Sequence, residues 1–77
     1  IVFDNEPRNK EIIDRMKFLI EDGYKLCVWP QSIKEKDIND MVLSGSSVIK
    51  IQEVINKNTH SGLKAMAAFN AWKRVGI

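Results

Sequence analysis

The stretch that decides the fold is IVFDNEPRNK, residues 1–10. Ile1, Val2 and Phe3 are apolar, and an unbroken run of β-branched and aromatic residues predicts a short buried strand over residues 1–4. Asp4 and Glu6 then arrive two residues apart, with Pro7 at once behind them. Acids at the point where a strand leaves the core make sense if they hold something. If the backbone stays extended through Glu6, alternation puts both carboxylates on one side, separated by ~6.6 Å of rise. Flexible side chains close that gap onto one cation. The competing reading is that acids stand here because a helix follows, whose N-terminus they cap and whose dipole they complement.

That helix is predicted from Arg8 to Asp22. Pro7 suits a first helical turn, where its missing N–H costs nothing. Ile12, Ile13, Met16, Leu19 and Ile20 form one apolar stripe, and the pairs Glu11/Arg15 and Lys17/Glu21 support the exposed face. Gly23 is the expected stop. YKLCVWP (24–30) predicts a second strand closed by Pro30. QSIKEK (31–36) is a polar loop, and DINDMVLSG (37–45) a short helical turn ending at Gly45. Ser46 or Ser47 caps the next helix, 47–57, with the stripe Val48, Ile51, Val54 and Ile55. NKNTHSG breaks it. The last helix is predicted over about 61–75, with Leu63, Met66, Phe69 and Trp72 on its apolar side. The order is therefore β-α-β-α-α. Two strands joined by such a helix are expected to be parallel, in a small Rossmann-like α/β sheet with a right-handed crossover. Parallel strands want both faces covered, so further strands are expected elsewhere, and an exposed edge would favour a homo-oligomer through strand pairing or a swapped element.

Composition narrows the class. Seventy-seven residues make one domain with a small core. Hydrophobic content of 44% against 29% charge is globular. A net charge of +2 does not by itself argue for nucleic acid. The single cysteine, Cys27, sits in an apolar run and reads as a core filler. It allows no internal disulfide, which suits a reducing cytoplasm. One histidine, His60, leaves no zinc pair. No apolar run approaches the ~18 residues of a membrane span, and no signal peptide is visible. The chain opens without Met inside a strand-like run and reads as an excised piece.

In a parallel sheet, ligands gather outside the carboxyl ends of the strands. Asp4 and Glu6 occupy that end of the first strand, and the loop after the second opens on the same edge with KEKDINDM. Asp37 and Asp40 share a face if the turn is helical. Four carboxylates on one rim would suit Mg²⁺ or Mn²⁺, held by a few carboxylates plus water and substrate phosphates. Asp37 as N-cap with Asp40 three residues on also fits a capping box. Arg8, Lys34 and Lys36 stand near this rim, where they would meet phosphates or serve only as solvated charge.

VFDNEPRN followed about thirty residues later by WPQSIKEKDINDMVLSG resembles the second half of a Toprim domain, of the kind found in the DNA primases of T4-like bacteriophages. The resemblance covers nearly the whole chain as one partial domain, 1–77. It implies a Rossmann-like layer whose DxD metal motif corresponds to Asp4 and Glu6, with Glu in place of the second Asp. The downstream acidic element corresponds to Asp37 and Asp40. It implies RNA primer synthesis by two-metal nucleotidyl transfer on a single-stranded DNA template from nucleotide triphosphates, with Asp4 and Glu6 catalytic and a replicative helicase as partner, in the cytoplasm of a phage's host. The Glu that Toprim domains carry on an earlier strand has no counterpart in residues 1–77. This polypeptide is therefore expected to be the metal-binding part of such an enzyme and inactive alone. Two rivals remain: part of a Toprim nuclease or topoisomerase, or a non-enzymatic partner-binding module using the last helix and Trp72. Trp29 and Trp72 also read as core.

Overall fold

The computed structural model describes residues 1–74. The chain is mixed α/β and mostly helical: α1 (Lys10–Glu21), β1 (Leu26–Cys27), α2 (Ile38–Leu43), α3 (Val48–Lys57), β2 (Thr59–His60) and α4 (Gly62–Arg74). Local chemistry sets the ends of these helices. Asn9 is the N-cap of α1, its side chain accepting from the Ile12 N–H at 3.2 Å. Pro7 therefore lies in the turn before the cap and not in the first helical turn. At the other end Gly23 takes a φ of +88°. Its N–H reaches Ile20 C=O, and the Tyr24 N–H reaches Leu19 C=O, which satisfies carbonyls the helix leaves open. Gly45 ends α2 by the same pair of bonds, Gly45 N–H to Val42 C=O and Ser46 N–H to Met41 C=O. Ser47 caps α3 through the Lys50 N–H.

The expected parallel sheet is not there. β1 pairs with β2 in antiparallel register, Leu26 opposite His60 and Cys27 opposite Thr59. Only one parallel bridge, Val2 to Cys27, survives of the predicted pairing between the first two strands. The reason lies at Phe3. Its carbonyl accepts the Trp29 indole N–H at 2.8 Å, so a side chain stands where a neighbouring backbone donor would extend the ladder. Beyond it, the Glu6 N–H turns back to Asp4 C=O at 2.9 Å, a tight turn centred on Asn5. The extended geometry expected through Glu6 therefore stops at Asp4. β2 arises inside NKNTHSG, read above only as a break. There Asn58 Nδ2 donates to Val54 C=O and the Thr59 hydroxyl to Ile55 C=O. These bonds close the end of α3 and swing the chain back beside β1. The outer edge this sheet offers a second copy is the two residues of β2.

The core gathers on β1. Leu26, Cys27, Val28 and Trp29 are all buried, beneath Met16 and Ile20 of α1 and Ala65, Phe69 and Trp72 of α4. Ala65 and Phe69 are fully enclosed, where α4 packs along α1. Met41 and Ile51 close the core from α2 and α3. Two stripe residues are largely exposed: Val48 is 75% exposed and Leu63 is 91% exposed. Each stands in the first turn of its helix, before the helix has reached the core. Among the described residues no helix is long and apolar enough to cross a membrane.

Candidate cation-binding rim

The first and second acidic elements come side by side through a backbone contact. The Asn5 N–H donates to Lys36 C=O, joining the Asp4–Glu6 turn to the residue before Asp37. The Asn5 side chain strengthens the join. Its Nδ2 donates to Ile33 C=O and to Glu35 C=O, both at 3.0 Å. Its Oδ1 accepts the Trp72 indole N–H at 2.8 Å. Residues 4–6, loop 33–36 and α4 are thereby held as one unit. Nothing in the spacing of the acids singles out Asn5, whose partners lie 28 to 67 positions away.

Each predicted site residue can now be placed. Asp4 is exposed, with its carbonyl engaged in the turn. Glu6 is half-buried, and its Oε2 faces Asn9 Nδ2 at 3.4 Å, beside the N-terminus of α1. Asp37 is the N-cap of α2, with Oδ1 accepting the Asp40 N–H at 2.8 Å. The capping reading is therefore correct for Asp37, which keeps its second carboxylate oxygen for other work. Asp40 is half-buried in the first turn of α2. Among the described residues no three His, Cys, Asp or Glu side chains stand close enough to hold a metal ion together. The two acidic elements lie side by side, but among the described residues their four carboxylates do not form one cluster.

The basic residues lie in the segments that carry or adjoin these acids. Lys34 and Lys36 are exposed on the loop that Asn5 grips, and Arg8 is exposed in the turn before α1. Lys34 also borders a cleft of about 300 Å³ between loop 29–34 and α4, lined by Asn5, Pro30, Asn58 and Trp72 among others. That volume stands at the lower end of the small-molecule range. Trp72 is only 5% exposed. It is a core residue, as is Trp29, and presents no surface anchor of the kind an interface on the last helix would need. Cys27 is fully enclosed, and burial pushes its thiol up to about 11, so it is held as an inert thiol.

No protein-family model matches this chain. The chain is 34% identical, over 76 residues, to the DNA primase of Enterobacteria phage T4. The alignment takes in 96% of this chain and 22% of that primase. Over nearly all its length the chain is thus similar to part of a DNA primase, and it spans about a fifth of the length of the curated relative it matches.

Proposed function

We propose that this chain is the cation-binding part of a DNA primase, built on Toprim-type acidic elements. The observation that carries the reading is the alignment with a phage DNA primase along 96% of the chain. The joining of the two acidic elements through Asn5 supports the cation part. Mg²⁺, or Mn²⁺, needs only one or two carboxylates when water and substrate phosphates complete its shell. Asp4 and Glu6 supply that pair. Asp37, through its oxygen not used in capping, and Asp40 act from the neighbouring pair, directly or through water. Lys34, Lys36 and Arg8 meet phosphates of the nucleotide triphosphate or the single-stranded DNA template. A divalent ion held by these acids would supply stabilisation of the charge that builds during nucleotidyl transfer to a 3′-hydroxyl. In this reading the remaining catalytic groups belong to other parts of the enzyme, whose partner is a replicative helicase.

The test is a chimera in which this chain replaces the matching 76 residues of the T4 primase. RNA primer synthesis on single-stranded DNA in Mg²⁺ is the readout. Primers from the chimera, and none once it carries Asp4→Asn, are the expected results. Equal primer yield with and without Asp4→Asn would overturn the assignment of Asp4.

A further inference from the structure

We propose that Asn5 is the positioning residue of the rim: it binds no cation itself, but fixes the Asp4–Glu6 turn against the lysine-bearing loop and couples that placement to α4. A carboxamide offers two N–H donors and one oxygen acceptor. In Asn5 both functions are spent, the donors on Ile33 C=O and Glu35 C=O and the oxygen on the Trp72 indole N–H. The partners dictate its orientation. Turned over, the amide would set its oxygen against two carbonyls and its NH₂ against an indole N–H. With its own N–H on Lys36 C=O, Asn5 makes four hydrogen bonds to residues 28 to 67 positions away. No side chain of another type satisfies this set. Asp has no donor for the two carbonyls, Ala has neither function, and Gln is a methylene too long for the same turn.

Two consequences follow. The spacing between the acids and Lys34 or Lys36 is set by a side chain that touches neither. The Trp72 indole, 67 positions away and buried, is directly bonded to the residue between the two acids, so its N–H resonance reports on the rim. Only the cation arm of the test below rests on the reading proposed above. The positioning itself is measured without a metal.

The experiment uses ¹⁵N spectra and amide exchange of the 77-residue chain, with Asn5→Asp, Asn5→Ala and Trp72→Phe as variants. Asn5→Asp keeps size and the acceptor for Trp72 but loses the donors. If Asn5 merely fills space, this variant is silent. If it positions, the amide at position 5 exchanges at least about tenfold faster, because one lost hydrogen bond changes an opening equilibrium by about that much and this variant loses two, and the amides of residues 34–37 shift. The Met16 and Ile51 amides, in the cores of α1 and α3, keep their rates. Trp72→Phe leaves the bonds to Ile33 and Glu35 in place and disturbs residues 34–37 less than Asn5→Asp does. It decides the matter should Asn5→Ala fail to fold. In Asn5→Ala, which loses all three side-chain bonds, apparent Mn²⁺ affinity falls because the Asp4–Glu6 turn is no longer held in place. Unchanged exchange at position 5 and unmoved 34–37 amides in Asn5→Asp would overturn the proposal. Normal Asn5-dependent exchange in a chain that takes no Mn²⁺ would instead remove the cation reading and leave the positioning role standing.

Discussion

Asp37 is where the capping and cation roles can be pulled apart. Its Oδ1 accepts the Asp40 N–H at 2.8 Å at the start of a six-residue helix. Asp37→Ala removes that acceptor and is expected to cost about 1 kcal/mol, the usual loss when an Asp N-cap becomes Ala. In a domain of this size that lowers Tm by roughly 4–8 °C. Asp37→Asn keeps a carbonyl oxygen in the same place, and Asn caps about as well as Asp, so it is expected to cost only a few tenths of a kcal/mol. The negative charge is lost in both. If the free carboxylate oxygen helps a cation, Mn²⁺ affinity falls alike in the two variants while stability falls in only one. Thermal unfolding by circular dichroism, paired with an Mn²⁺ titration, reads both. Equal Tm losses for Asp37→Asn and Asp37→Ala would refute the capping argument.

Two further predictions follow from the fold. A Cβ on Gly23 would meet nothing within 4 Å, so Gly23→Ala tests the backbone alone. With φ at +88° it is expected to cost about 1–2 kcal/mol, read as a lower urea midpoint at unchanged slope. Cys27 predicts a pH effect: its thiol titrates near 9.0 when unfolded and at about 11 when folded, because burial disfavours the thiolate. Above the lower value the unfolded chain binds fewer protons than the folded one, so stability falls as pH rises through this window. Cys27→Ala is expected to show a smaller fall in urea midpoint over the same range, and an identical fall in both proteins would contradict the assignment.

The helices were legible because their apolar stripes and stop signals are local. Met16 and Ile20 of the first stripe are buried, and Gly23 and Gly45 end their helices as expected. The sheet was not legible. β2 is two residues in a polar segment, Thr59–His60, and carries no periodic signal. The Trp29 indole ends the parallel ladder at Phe3 by a contact 26 residues long in sequence. Spacing does not announce such a bond. At the rim, residues 4–6 and the loop before Asp37 touch, but not in the way the sequence suggested. Strand ends in a parallel sheet were expected to do it. The Asn5 backbone N–H on Lys36 C=O does it instead, strengthened by a carboxamide whose three partners lie in segments that only the folded chain brings together. The same turn at Asn5 ends the extended run that would have put Asp4 and Glu6 on one side.

The measurement that tests the central claim most directly is an Mn²⁺ titration of the chain followed by NMR line broadening, repeated with Mg²⁺ as competitor. The account predicts that signals of Asp4, Asn5 and Glu6 broaden first, that Lys36, Asp37 and Asp40 follow, and that Mg²⁺ restores them. Broadening that spares residues 4–6 while striking other exposed acids such as Glu11 or Glu53 would contradict it.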